Sequence, residues 1–557
     1  MSAEDSADDT SAESGSGPTE EIRGADTSEP AEDDRSTLRS HDVLAIDELG
    51  QEEIVLGLVA GTGAELDPFV KELDEMLHAY DYDARVIRLS ELLHDFEEWQ
   101  TLEGKQASWV SEHQDAGDAL RTRLDSKDAM AELAMSAVRA RRDELLAGDE
   151  YHPRTAWVLR TLKRPEEIEA LRRVYRSRFL LMSVHVPEQA RRESLRDRLE
   201  REGWTGDGSI ERHAIGLIER DQEDHQDTHG QNMRATFPLA EFFVDASSVR
   251  ALADSLDRIT RLIFGDPFAT PTRDEHAMAH AHIAALRSAE MGRQVGAAIM
   301  TPNGEIVAVG TNEVPSPAGG LYWGREERHP DEVDQRDFIR QVDANDLWKR
   351  KVAEELLGRM RDTRWIAADH SDGTLDELLV DLSGTRLRAL IEFGRAVHAE
   401  MDALTNAAQR GVAVDGTTLV TTTFPCHNCT RHVIAAGIRR LVFIHPYGKS
   451  LARELHSDAV DFDPATEQAD GKRVRFEQFI GVGPTAYERY YTAPERKDDL
   501  GRPLDLRKRD AIPRVLWPEE QPVQAEVFLA AETDEIDQFQ QRCADKGLKF
   551  RNQEESG

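Results

Sequence analysis

The sequence predicts an α/β protein, with a doubly wound parallel sheet in its first half and a second α/β unit after it. Three observations carry this. Short apolar runs alternate with helical patterns from residue 54 to 264, the rhythm of strand–helix–strand units. The first of these runs empties into glycines and then a helix. The second half opens instead with a helix and a hairpin.

In chain order, residues 1–45 are acidic, rich in Ser and Gly and poor in apolar side chains. They cannot bury enough surface to offset chain entropy, so disorder is expected. Residues 46–268 form the first domain. I-V-L-G-L-V (54–59) reads as a buried strand, followed by a glycine turn and the helical D-P-F-V-K-E-L. A-R-V-I-R-L, T-A-W-V-L-R-T-L, F-L-L-M-S-V-H-V and E-F-F-V-D are further strands, with P-E-E-I-E-A-L-R-R-V-Y helical between the second and third of these. An amphipathic helix over 249–264 closes the unit. Residues 269–495 form the second domain. R-Q-V-G-A-A-I-M-T-P-N-G-E-I-V-A-V-G-T-N-E-V-P is expected to be a hairpin turning at Pro302-Asn303-Gly304. His276, His280 and His282, at near-helical spacing, read as ordinary helix residues. The charged interval 324–388 has helical stretches and reads as an inserted subdomain or lid. R-R-L-V-F-I-H-P and V-R-F-E-Q-F-I-G-V are strands, and residues 496–557 form a polar extension expected to be peripheral.

The chain has 557 residues, with 69 Lys+Arg against 107 Asp+Glu and a net charge of −38. Phosphate backbones are held by Lys/Arg clusters, so this charge argues against nucleic acid as the main partner, though one small pocket can still hold a nucleotide. Three cysteines leave no disulfide framework, and a reducing compartment is expected. There is no run of about 18 apolar residues. A cytoplasmic protein without a membrane partner is the expectation.

The chemistry concentrates between residues 397 and 438. His398 is followed by Glu400, and F-P-C-H-N-C places Cys426 and Cys429 at C-x-x-C spacing after Pro425. H-x-E…P-C-x-x-C is the signature of the zinc nucleobase deaminases. Three protein ligands (His398, Cys426, Cys429) leave a tetrahedral Zn2+ one open position for water. Zinc lowers the pKa of that water to roughly 7. Glu400, which is not a ligand in this reading, would move protons from the water to the ring nitrogen and the departing ammonia. A closed structural zinc site would need a fourth ligand, for which His427, His432 and His445 are candidates.

The first strand's glycine turn resembles a damaged phosphate loop. G-x-x-x-x-G-K-[ST] needs Lys for the phosphates and Ser/Thr for Mg2+. Here Gly57, Gly61 and Gly63 are followed by Ala64 and Glu65, which disfavours ATP turnover or kinase activity. Backbone N–H groups could still cradle an anion there, as the first strand–helix turn of such sheets often does. A purely structural turn is the other reading. Arg160, Lys163 and Arg164 follow a strand and could face a phosphate or simply solvent.

With these residues in view, the second domain resembles the deoxycytidylate deaminase branch of the cytidine deaminase superfamily. Ser288, Arg293-Gln294-Val295-Gly296-Ala297, Gly310-Thr311-Asn312 and Pro315 carry the likeness together with the zinc motif. The resemblance implies a mixed sheet sandwiched by helices, with zinc at two helix starts. It also implies that Asn312 bonds the sugar hydroxyl, that backbone around Ala399 reads the cytosine edge, and that Ser288, Arg293 and Gln294 lie near the nucleotide. The whole architecture is similar to the bacterial anti-phage dCTP deaminases, in which a degenerate P-loop, kinase-like domain precedes the deaminase. That likeness implies deamination of dCTP or dCMP as defence, a regulatory nucleotide at Gly57, Gly61 and Gly63, a homo-oligomer and, by analogy, an inhibitory RNA. A polynucleotide deaminase acting on RNA or single-stranded DNA is the alternative. It would need a basic, aromatic-lined channel, and neither clustered Lys/Arg nor interleaved aromatics occur near the motif. A nucleotide-binding regulator with a structural zinc would have no use for Glu400.

Overall fold

Covering both faces of a sheet demands strands that are apolar throughout, and β1 (Ile54–Ala60) is buried at every position. Its side chains alternate, Ile54, Leu56 and Leu58 entering one core and Val55 and Val59 the other. The computed structural model describes residues 49–103, 109–148, 150–204, 209–224, 227–317, 319–324, 333–363, 365, 385, 390–447, 450–462 and 472–551. The acidic leader and much of the interval 324–388 lie outside the described residues.

The first sheet adds β2 (Asp83–Arg88), β3 (Thr155–Arg160), β4 (Phe179–His185) and β5 (Phe242–Asp245), all parallel, in the order β5-β4-β1-β3-β2. Helices α1 (Asp67–His78), α2 (Trp109–Leu124), α3 (Ala129–Ala147), α4 (Pro165–Tyr175), α5 (Glu188–Arg201), α6 (Ile210–Gln222) and α7 (Val249–Ile263) accompany it. α1 and α7 bury Phe69, Leu73, Leu252 and Leu256 against one face, while α2, α3 and α4 cover the other. This is the doubly wound sheet that the sequence predicts.

The second sheet follows α8 (Arg273–Leu286). Its strands are β6 (Gly296–Met300), β7 (Ile306–Thr311), β8 (Thr418–Thr423), β9 (Arg440–His445), β10 (Val460–Asp461) and β11 (Val474–Gln478), in the order β10-β11-β9-β8-β6-β7. β6 pairs antiparallel with β7 and β8, as the hairpin requires, and β8, β9, β11 and β10 run parallel. The described part of the 324–388 interval contributes α9 (Ala344–Asp362). α10 (Ala399–Gln409) and α11 (His427–Ala435) pack with Ala297 and Ile299, whereas α8 packs with Ala298 and Met300 on the opposite face. The second unit is therefore also a sheet between helices.

Two segments depart from expectation. V-R-F-E-Q-F-I-G-V is two strands in two sheets. β11 ends at Gln478, and β12 (Gly481–Val482) crosses to pair antiparallel with β5. Phe479, between them, meets Phe243 edge-on at 5.5 Å, and one hydrophobic core runs continuously through both sheets. The polar C-terminal extension is not peripheral. It contains α12 (Ala525–Asp545), which buries Phe528, Ile536, Phe539 and Cys543 against α3 and α4.

Charge fixes that helix as firmly as apolar area does. Arg142 of α3 donates to Glu53 (2.9 Å) and Glu532 of α12 (2.6 Å), with all three side chains at most 3% exposed. Tyr151 and Tyr175 donate to the same two carboxylates. Removing the central cation would leave two buried carboxylates facing each other, and breaking a buried pair costs about 3–5 kcal/mol. Arg142→Met should therefore lower the urea midpoint steeply, with the triple variant that also carries Glu53→Gln and Glu532→Gln recovering part of the loss. A midpoint unchanged in Arg142→Met would show that the network contributes nothing.

Candidate active site

The site is made by two helix starts meeting beyond the end of β8. After Thr423, Phe424-Pro425 leads into Cys426, which caps α11, its Sγ accepting the Cys429 N–H at 3.4 Å. His398 occupies the equivalent capping position of α10 in extended backbone. Helix N-termini present unpaired N–H groups and the positive end of the dipole, which favours thiolates there. His398 Nδ1 lies 3.3 Å from the Sγ of each cysteine. Tetrahedral Zn–S and Zn–N bonds would set these atoms about 3.6 Å apart, so the donor set fits Zn2+ with a small outward adjustment. The hydrogen bond from Cys429, with His398 beside it, lowers the pKa of the Cys426 thiol.

Among the described residues the ligand group has three members, His398, Cys426 and Cys429. The closed-site candidates do not join it, and His427 faces Glu392 at 3.6 Å instead. The geometry is that of three protein ligands with one position left for a reactant. Glu400, in the first turn of α10, is 4% exposed and lies beside His398 and Cys429. Burial raises its carboxyl pKa, and His398 works against that rise. A carboxyl so placed can take a proton and give it back.

The residues assigned to the nucleotide gather at the same end of the sheet. Ser288 donates to Asn312 O at 2.6 Å, and Gln294 donates to Ser288 O at 2.7 Å. The Asn312 amide accepts from Val295 N (2.7 Å) and donates to Arg293 O (2.7 Å), so it holds the 293–295 turn in place. Arg293 is exposed and close enough to His445 and Tyr447 to act on both electrostatically. Ala399 is fully buried. A Cβ on Gly310 would lie 2.2 Å from Ala399 O and 2.3 Å from Ala403 N, so α10 rests directly on the backbone of β7.

The three N-terminal glycines belong to the first sheet and not to this cluster. Gly57 sits inside β1, where a Cβ would meet Phe179 at 2.7 Å and Leu162 at 2.8 Å. Gly61 and Gly63 form the turn beyond it. The basic residues nearby are paired within the fold: Arg160 with Asp67, Lys163 with Asp221, and Arg164 with Glu166.

Sequence reasoning passed over Glu313. Its carboxylate accepts from Ala289 N (3.0 Å), Val314 N (2.9 Å) and Arg336 (3.3 Å), and its backbone exchanges bonds with Val397, next to His398. It ties Arg336, inside the 324–388 interval, to the residue before His398. The only signal was an acid adjoining Asn312 in G-T-N-E-V-P.

Residues 271–445 match the family model described as the cytidine and deoxycytidylate deaminase zinc-binding region, and this stretch holds all three ligands. A deoxycytidylate deaminase of Enterobacteria phage T2 is 35% identical over 54 residues, 10% of this chain and 29% of that protein. A probable deoxycytidylate deaminase of Drosophila melanogaster is 29% identical over 96 residues, 16% of this chain and 46% of its own length. The chain thus spans less than half the length of either relative. A dCMP deaminase structure from cyanophage S-TIM5 aligns over 38% of this chain and 99% of its own at 17% identity, with a TM-score of 0.20. Residues 271–445 are thus similar to the cytidine and deoxycytidylate deaminase zinc-binding region.

Because α10 rests on bare backbone, Gly310→Ala should push His398 away from the cysteines and lower zinc retention about tenfold or more. Gly358→Ala, where a Cβ meets nothing within 4 Å, is the control. Cys426→Ala should lose the metal outright. Metal content after dialysis against a weak chelator measures all three variants, and full zinc in Gly310→Ala would contradict the packing argument.

Proposed function

We propose that this protein hydrolytically deaminates deoxycytidine nucleotides, dCMP or dCTP, to the uracil forms. The observation that carries the reading is the convergence of His398, Cys426 and Cys429, with no fourth protein ligand among the described residues, beside the buried carboxyl of Glu400. His398, Cys426 and Cys429 would hold Zn2+, which when bound would supply Lewis acidity toward a water. Glu400 would take a proton from the attacking water and deliver it to the cytosine ring nitrogen. It would then carry the remaining proton of that water, from the hydroxyl now on the ring carbon, to the exocyclic amine, so that the C–N bond breaks, the carbonyl forms and ammonia leaves. Ser288, Gln294 and Asn312 shape the backbone turn 293–295 against which sugar and base would lie, with the backbone at Ala399 facing the base edge.

The finer reading is part of the same proposal. The enzyme would act in the cytoplasm as a homo-oligomer, draining the dCTP pool of an infecting phage. The first domain, 46–268, would regulate the deaminase domain, 269–495, through a nucleotide at the glycine turn, and an RNA would act as inhibitor. This reading rests on the resemblance of the whole architecture and on the glycine turn at the carboxyl end of the central strand β1.

Glu400→Ala should keep zinc and lose deamination by at least about 10²–10⁴-fold, the usual worth of a positioned proton carrier. Ammonia release from dCTP, dCMP, CTP, cytidine and single-stranded oligonucleotides checks both mechanism and substrate. Turnover of dCTP or dCMP that vanishes in Glu400→Ala supports the proposal. Turnover of oligonucleotides alone, or an active Glu400→Ala, would refute it.

A further inference from the structure

The turn after β1 has the parts of an anion cradle, and a carboxylate already lies in it. Thr62 N donates to Asp221 Oδ2 at 2.6 Å. Lys163, from the segment after β3, donates its Nζ to Asp221 Oδ1 (2.7 Å) and to Ala60 O (2.8 Å). It thus supplies from elsewhere in the fold the cation that the loop's own sequence lacks. Arg191 of α5 lies across the turn, donating to Thr62 O (3.2 Å) and Val186 O (3.3 Å). A Cβ on Gly61 would lie 2.5 Å from the Arg191 guanidinium, and one on Gly63 2.5 Å from Arg191 O. Lys163 and a backbone donor therefore hold one carboxylate, with Arg191 close enough to act on it electrostatically and facing Glu188 as well, and that carboxylate is 1% exposed against 15% for Lys163.

We propose that Asp221 is an internal stand-in for a phosphate: the β1 turn, Lys163 and Arg191 form a phosphate site held shut by α6. A phosphate group carrying two negative charges matches the two cations better than one carboxylate does, but it enters only where Asp221 withdraws. The ligand class is a phosphate anion, free or as the polyphosphate tail of a nucleotide. The inference rests on the reading of the glycine turn as a nucleotide site and deepens it, and it is independent of the zinc chemistry, so loss of deamination does not touch it.

The test uses the full-length protein, with calorimetric titration of inorganic tripolyphosphate and of ATP at low salt. Asp221→Asn keeps the side-chain shape and removes the charge, and it should bind tripolyphosphate at least tenfold more tightly than the unaltered protein. Adding Lys163→Met to Asp221→Asn should abolish the gain. ATP binding tenfold tighter than tripolyphosphate in Asp221→Asn would identify a nucleotide tail, and equal binding would identify the phosphate alone. Equal affinity of the unaltered and Asp221→Asn proteins, or no binding by Asp221→Asn, would overturn the proposal. Should Asp221→Asn fail to fold, hydrogen exchange in the unaltered protein decides: saturating tripolyphosphate should raise exchange across 210–222 as α6 releases, and unchanged exchange there overturns it.

Discussion

The contact between Gly310 and the first turn of α10 is the constraint on which the site depends. Helices normally rest on strands through side chains, but here Ala399 O and Ala403 N lie where a Cβ on Gly310 would be. The opposite face of the hairpin repeats the device, since a Cβ on Gly296 would lie 1.8 Å from Ala281 O of α8. Thinning the hairpin on both faces lets α10 descend until His398 is level with the cysteines that cap α11. Polar bonds then fix its position along the strand. Thr311 N, at the free edge of β7, donates to Asp402 in the first turn of α10, and the Glu313–Val397 bridge holds the residue before His398. Ligand placement is thus a consequence of backbone packing, with the metal chemistry built on a scaffold that the hairpin defines.

The strongly acidic composition gives a different picture inside the protein than on its surface. Buried and half-buried carboxylates are matched with arginines in forks. Arg121 bridges Asp118 and Glu167, Arg142 bridges Glu53 and Glu532, and Arg440 bridges Asp274 and Glu477. Arginine suits this role because its planar donors can satisfy two carboxylates while remaining charged. The Arg440 cluster joins β9, β11 and the start of α8, so that helix is tied to the sheet by charge as well as by packing. Arg336 does the same for Glu313 at the site itself. The net charge of −38 thus coexists with arginine-matched acids inside the fold.

What the sequence made legible, and what it did not, follows the range of the interactions involved. Apolar runs marked the strands of the first sheet, and Pro302-Asn303-Gly304 marked the hairpin, because turns and burial on both faces leave local patterns. The order of the strands, with β1 central, depends on partners roughly a hundred residues away and left no such mark. The C-terminal helix was misread for a related reason. Phe528, Ile536, Phe539 and Cys543 lie on one stripe, but Glu532 interrupts it, and the acid makes sense only once Arg142 of α3 is beside it. At the site, the metal ligands were evident while the role of Asn312 was not. Its amide is engaged by the backbone of Arg293 and Val295, so its first task is to hold a turn.

The two motifs of this chain show why one can be read locally and the other cannot. In C-x-x-C, the spacing itself brings both sulfurs to one helix start, so the residues that do the chemistry also define the pattern. A glycine turn defines only the absence of side chains. Whether the space belongs to a phosphate or to the protein is decided by residues that the pattern does not contain, here Lys163, Arg191 and Asp221. Gly61 and Gly63 are required in either case, because Arg191 presses on the turn whether or not an anion ever enters. The charge balance around the turn is what distinguishes the two cases. Lys163 pairs with Asp221 while Arg191 faces both Asp221 and Glu188, so withdrawal of Asp221 alone is what would free a cation for an entering anion.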